Sequence, residues 1–200
     1  MLTPTMSIER TSLPGRHVVL EPLGRQHRAA LAEVIRDGEL WAIQETYVPH
    51  PDQLDAFFAE ADERFAAQDE LPFVIVDRTT NAVVGSTRFM HIDREHRSVE
   101  IGFTFIARAW QGTQVNRESK YLLLKHAFES WRCIRVQLLA DARNERSRRA
   151  ITRIGAKEEG VLRRHLIRRD GTVRDSVVHS IIAEEWTDVK AMLEERIAAA

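Results

Sequence analysis

The chain holds a single cysteine in 200 residues. Cys133 therefore has no internal disulfide partner and no companion for a multi-cysteine metal site, a pattern that suits a reducing compartment. It stands where a buried strand begins, which reads as a packed thiol rather than a nucleophile. No apolar run approaches the roughly 18 residues of a membrane-spanning helix. The opening residues, MLTPTMSIERTS, lack the apolar core of a secretory signal. Net charge is −1, so nothing draws the whole molecule towards nucleic acid or a membrane surface. Repeats, low-complexity tracts and linkers are absent. These absences lead to the expectation of a soluble, cytoplasmic, single-domain protein, and a hydrophobic content of 44% is enough for a real core.

Charge is unevenly placed. Asp52 to Glu70 carries seven acids and one base, whereas Arg143 to Arg169 carries ten bases and three acids. Two solvated faces of opposite sign explain this, and so does an anion site in the second region with a cation-tolerant mouth in the first. The basic region lacks interleaved aromatics and any nucleic-acid motif, which argues against an RNA-associated protein. His91 and His96 match no common zinc spacing, so no metal site is expected.

In chain order, residues 1–15 read as a loose leader ending in Pro14-Gly15. His17–Leu23 reads as a strand. Gln26–Asp37 and Asp52–Gln68 read as amphipathic helices, joined by an irregular segment holding Trp41, Glu45 and Tyr47. Pro72–Asp77, Ala82–His91 and Arg97–Ile106 are short, closely spaced strands that suit an antiparallel meander. Within the last, Ile101, Phe103 and Phe105 alternate as one buried face. A polar loop with Gly112 then leads into a helix striped by Tyr121, Leu124, Phe128 and Trp131. Ile134–Ala140 is a further strand. Asn144 is a good N-cap for a helix ended by Gly155. Val161–Ile167 and Val173–Ile182 form a hairpin around Asp170-Gly171, and residues 184–198 close the chain as a helix. The expected fold is α/β of the α+β type. It has a mixed, largely antiparallel sheet of about seven strands, helices on both faces and one central crossover.

The strand, glycine-bearing loop and buried helix from Ile101 to Trp131 make a geometry with a use. The first turn of such a helix offers unpaired N–H groups and a positive dipole end to phosphate or pyrophosphate, although Gly112 also serves simply to turn the chain.

Three motifs resemble the GNAT superfamily of N-acetyltransferases, and within it the branch that includes the ribosomal-protein N-terminal acetyltransferases. Gln111-Gly112-Thr113-Gln114-Val115-Asn116 lies over the family's pyrophosphate loop. Asn144-Glu145-Arg146-Ser147, running on to Gly155-Ala156, is similar to the family's Asn-x-x-Ser segment. Asp170-Gly171-Thr172-Val173-Arg174-Asp175 with Glu185-Trp186 is similar to the branch's C-terminal signature. The resemblance implies acetyl-CoA as co-substrate and a primary amine as acceptor, with a non-catalytic acyl-CoA-binding module as the alternative. Gln114 and Asn116 depart from the pattern, since glycine or alanine is usual there and a Cβ restricts the approach of backbone to pyrophosphate. His179 stands where relatives often carry a tyrosine on the last strand.

An amine must be neutral to attack a thioester, and a base within hydrogen-bond reach helps. Glu100, an acid inside an apolar strand just before the loop, is the candidate base. Its other reading is a strand carboxylate on the solvent face. Ser147 is the candidate acid for the departing thiolate, or else decorates a helix start. Asn144 caps that helix and, by the resemblance, also meets the pantetheine arm. The same resemblance gives backbone groups from Thr104 to Ala107, notably Phe105 and Ile106, to pantetheine. Arg149, with Arg108, Arg146, Arg148 and Arg153, is a candidate for the CoA phosphates. The acceptor is expected near Trp41, Glu45, Tyr47 and His179. The hairpin and last helix offer surfaces for a homodimer.

Overall fold

The computed structural model describes residues 6–199. Eight strands form one sheet in the order β1-β2-β3-β4-β5-β6-β8-β7. They are β1 (Leu13–Pro14), β2 (Val18–Pro22), β3 (Leu71–Asp77), β4 (Val83–Asp93), β5 (Ser98–Ile106), β6 (Arg135–Asp141), β7 (Lys157–Ile167) and β8 (Val173–Ile182). The α-helices are α1 (Arg28–Arg36), α2 (Leu54–Ala66), α3 (Gln114–Lys125), α4 (Glu145–Arg153) and α5 (Trp186–Ala198). Every neighbouring pair of strands is antiparallel except β5 and β6, which α3 connects as a crossover. The expected α/β architecture is therefore present, with one strand more than the seven anticipated. Among the described residues, no helix is long and apolar enough to cross a membrane.

The additional strand lies in the stretch expected to be a loose leader. From Met6 onward that stretch is packed: Met6 and Ile8 are buried, and Trp131 donates its indole N–H to the Ser7 carbonyl at 2.9 Å. Glu118 completes the attachment by accepting from the amides of Arg16 and His17. Residues 1–5 lie outside the described residues.

Each face of the sheet has its own apolar core. The first joins Phe73, Phe89, Val99, Ile101, Val136 and Leu138 to Leu123, Ala127, Trp131 and Leu193 of the α3 and α5 side. The second joins Val74, Val76 and Phe105 to Leu31, Ile35, Phe57 and Phe58 of α1 and α2. Simple alternation along β5 would have kept Ile101, Phe103 and Phe105 together. Instead the β4–β5 register passes from Ser86 opposite Phe105 to Arg88 opposite Gly102, so β5 carries one extra residue there. Phe103 takes φ 50° at this bulge, a strained conformation for a bulky side chain. The side-chain parity reverses: Ile101 packs in the first core, Phe103 and Phe105 in the second.

The hairpin of β7 and β8 is fastened to β6 by a buried ion pair. Arg168 gives Nε and Nη2 to the two carboxylate oxygens of Asp141 at 2.6 and 2.8 Å, with both side chains almost fully buried. Burial opposes the Asp141 carboxylate, but the Arg168 hydrogen bonds and the Arg143 amide outweigh it and hold its pKa below the ordinary value. A depressed folded pKa contributes stability above the unfolded value near 3.9, and loses it as pH falls through the folded one. Asp141→Asn strands the Arg168 charge, so urea denaturation at pH 7 should show a loss of about 3 kcal/mol. Below about pH 4 the deficit should shrink as wild-type Asp141 itself protonates.

Candidate active site

β5 and β6 are ladder partners only at Ser98–Arg135, Val99–Val136 and Glu100–Gln137. Beyond Glu100 they part, and β5 keeps its ladder with β4 alone. The parting opens a wedge whose vertex is Glu100 and whose outer lip is the end of β5. The Ile106 carbonyl at that lip accepts from Gln111 Nε2 at 2.8 Å, and Gln111 Oε1 accepts from Arg146 Nη1 at 2.5 Å. Gln111 thus links the end of β5 to α4.

After a single 3-10 turn at Arg108–Trp110, Gly112 adopts φ 80°. A Cβ on Gly112 would meet nothing within 4 Å, so conformation and not space demands glycine. Thr113 caps α3: its hydroxyl accepts from the Val115 amide at 3.3 Å and donates to the Trp110 carbonyl at 2.8 Å. The amides of Gly112, Thr113 and Gln114 have no partner among the described residues. Three free donors at the positive end of a 12-residue helix suit a diphosphate. Gln114 and Asn116 lie inside α3, where a side chain costs no backbone strain, so neither departure from glycine distorts the loop.

Glu100 is 8% exposed, which excludes a strand carboxylate facing solvent. Its Oε2 accepts from Gln137 Nε2 at 3.1 Å and lies 3.2 Å from His91 Nδ1. Val99 and Ile101 face the first core, so Glu100 between them faces the second side, where α1 and α2 lie.

On α4, the Asn144 side chain accepts from the Ser147 amide at 2.9 Å, so its carboxamide oxygen is committed to capping. Ser147 is partly buried, and its hydroxyl is unpartnered among the described residues. Arg149 pairs with Glu145 at 3.0 Å on the exposed surface, a contact weak enough to give up. Arg148 pairs with Glu158, and Arg146 is held by Gln111.

The segment between α1 and α2 is clasped by the tip of the β7–β8 hairpin. Arg169 stacks on Tyr47 at 4.2 Å and donates to the backbone carbonyls of Trp41 and Val48. Tyr47 meets Phe103 edge-on at 5.1 Å. Trp41, Glu45 and Tyr47 are therefore gathered near the same hairpin, Glu45 being among the acids that favour the Arg168 charge. His179 does not join them. It shares the first-core face of β8 with Ile181, is fully buried, and has no hydrogen-bond partner for either ring nitrogen among the described residues, Nε2 lying 3.8 Å from Glu158 Oε2. Burial pushes its imidazole pKa down.

Two buried cations escaped sequence reasoning. Lys120 of α3 reaches Thr104 Oγ1 at 2.6 Å and Thr87 Oγ1 at 3.4 Å, with no carboxylate partner among the described residues. Burial pushes its pKa down to about 7. Arg88 of β4 is 2% exposed and pairs with Glu70. For Arg88 the signal was a lone cation inside an apolar strand, VVGSTRFM; Lys120, with Arg117 and Lys125 close by, carried no such mark. Among the described residues, no three histidine, cysteine or acidic side chains gather as a metal site.

Residues 17–157 match the family model described as the acetyltransferase (GNAT) domain. The chain is 32% identical over 109 residues to "Putative ribosomal N-acetyltransferase YdaF" of Bacillus subtilis (strain 168), covering 54% of this chain and 58% of that protein. The match thus spans little more than half the length of that relative. A crystal structure of a putative acetyltransferase from T. thermophilus is 38% identical with a TM-score of 0.80, covering 92% of this chain and 96% of that one. Mycobacterium smegmatis RimJ in complex with CoA-disulfide has a TM-score of 0.78 over 90% of this chain and 88% of that one. At 23% identity this last likeness concerns the fold alone.

The buried Lys120 makes a stability test. Its folded pKa of about 7 lies below the unfolded value of 10.5, so between them the unfolded chain binds the extra proton and folding is penalised. The penalty is fully present below pH 7 and is relieved as pH rises. Relative to Lys120→Met, which has no such proton, wild type should gain about 1.4 kcal/mol per pH unit between roughly pH 7 and 10. Urea denaturation of both proteins at pH 7.5, 8.5 and 9.5 checks this.

Proposed function

Because the chain belongs to the acetyltransferase (GNAT) domain family, we propose that it moves an acetyl group from acetyl-CoA to a primary amine by direct attack. Acetyl-CoA supplies an activated acyl thioester. The free amides of Gly112, Thr113 and Gln114 fit its diphosphate, and Arg149 can exchange its exposed partner for a phosphate. The unladdered edge of β5 towards Phe105 and Ile106 fits the peptide-like pantetheine arm. The observation that carries the reading is the position of Glu100: a buried carboxylate at the vertex of the wedge, on the face that holds Trp41 and Tyr47.

In this scheme Glu100 takes a proton from the acceptor as its nitrogen adds to the thioester carbonyl. Gln137 and His91 hold the carboxylate in place from one side. An α-amine, with an ordinary pKa of about 7.7–8.0, needs less help than a lysine side chain near 10.4. Ser147, whose hydroxyl has no partner among the described residues, protonates the sulfur as the C–S bond breaks. Trp41, Glu45 and Tyr47 border the acceptor, and the attachment of Trp41 and Tyr47 to Arg169 sets that border.

The surface for a second copy of the chain is β7, an edge strand whose Val161, Leu162, Leu166 and Ile167 are exposed. A cytoplasmic setting fits Cys133, buried and with its pKa pushed up to about 12.

Glu100→Gln keeps the size and the hydrogen bond to Gln137 but removes the base. Turnover at neutral pH should fall by about a hundredfold or more, as loss of a general base does. The calorimetric affinity for acetyl-CoA should be unchanged. Thiol release measured with a panel of amines, beside the binding titration, checks both halves. Unchanged turnover would assign the base to another group.

A further inference from the structure

Arg88 has more donors than its surroundings use. Its Nη1 donates to Glu70 Oε2 at 2.7 Å, whereas Nε and Nη2 are fully buried with no partner among the described residues. The guanidinium lies over the rings of Phe103 at 4.1 Å and Phe57 at 5.0 Å. Elsewhere in the chain, Arg28 and Arg168 each hold a carboxylate with that same pair of atoms, Nε and Nη2. Arg88 therefore keeps a carboxylate fork unpartnered in the interior, where an unmet donor is costly and an incoming anion is strongly held.

The position of the fork matters more than its existence. Arg88 stands opposite Gly102 in the β4–β5 ladder, and Met90 stands opposite Glu100. Arg88 and Glu100 are thus diagonal neighbours on one face of the sheet, a spacing of about 7–8 Å. Between them Gly102 contributes no side chain. A Cβ there would come within 2.8 Å of Met90 Sδ and 3.3 Å of Glu100 Oε1, so the glycine leaves room that the Met90 thioether and the carboxylate share. A base and an unpartnered guanidinium fork side by side match a molecule that carries an amine and a carboxylate on one carbon.

We infer that Arg88 determines acceptor specificity, its Nε–Nη2 fork taking the carboxylate of an amino-acid acceptor whose amine lies against Glu100. This rests on the acetyl-transfer reading above with Glu100 as base. The partly exposed Phe103, strained at φ 50° and touching Tyr47, separates the fork from the acceptor segment and is the ring that the acceptor must pass. One guanidinium then serves two carboxylates, Glu70 on Nη1 and the acceptor's on Nε and Nη2, and the amine gives its proton to Glu100.

The test is a matched panel of free L-amino acids, their α-amides and the corresponding decarboxylated amines, with acetyl-CoA and wild-type protein. Product mass and thiol release are both read. The best amino acid should exceed its amide and its amine in kcat/KM by roughly a hundredfold, the cost of leaving a built polar site unfilled. Arg88→Lys keeps a cation for Glu70 without the fork. It should raise KM for that amino acid and bring its kcat/KM down to the level of the amide, with acetyl-CoA affinity by calorimetry retained. Circular dichroism establishes that the variant is folded, and should it not fold, the wild-type panel decides alone. An amide or amine used as well as the acid, or a preference that survives Arg88→Lys, overturns the inference and leaves acetyl transfer standing. Transfer to no member of the panel, with acetyl-CoA bound, overturns this inference and small-amine acetylation together.

Discussion

Three ladder pairs hold β5 beside β6, and the wedge between them exists because there are no more. A longer parallel pairing would satisfy both strand edges and close the interior. A shorter one would leave Glu100 without the neighbour, Gln137, that fixes its carboxylate. The crossover through α3 enforces this arrangement, since a parallel pair cannot be joined by a tight turn and needs a helix to carry the chain back. That same helix brings its N-terminal amides to the open end of the wedge. Strand parting and helix placement are consequences of one topological choice.

The bulge at Phe103 adds a second constraint. Without it β5 would present one apolar face along its whole length, and the α2 side would lose Phe105 from its core. With it, the strand serves two cores in succession: Ile101 before the bulge, Phe105 after it. The strain at Phe103 is offset by its edge-on contact with Tyr47 and by the Arg88 guanidinium over its ring. Thr104 is turned towards α3 by the same reversal, which is how its hydroxyl comes to meet Lys120.

Periodicity made most elements legible. The β8 strand and the Asn144 cap stand where residue pattern alone put them, because burial on one face and an orphaned amide leave direct marks in sequence. The loop with Gly112 was legible for the same reason, as its φ of 80° favours glycine. What escaped detection depends on partners far apart in the chain. Nothing local tells that Ser7 will receive the Trp131 indole, so residues 6–15 looked loose. The bulge follows from the register with β4, not from any β5 residue. Pattern reading treats a cation as a surface mark, so Arg88 and Lys120 passed unnoticed, although an arginine in VVGSTRFM was the clue to the first. His179 lies on the first-core side of β8 with Ile181, a placement set by the register with β6 and β7 and by no local residue.

Arg169 gives the molecule a division of labour. The segment bearing Trp41 and Tyr47 has little regular structure of its own and takes its shape from a hairpin tip more than a hundred residues away in sequence. The Gly112 loop draws on none of those contacts. Changes at the hairpin tip can therefore reshape the segment bearing Trp41 and Tyr47 while the Gly112 loop and its three amides keep their geometry.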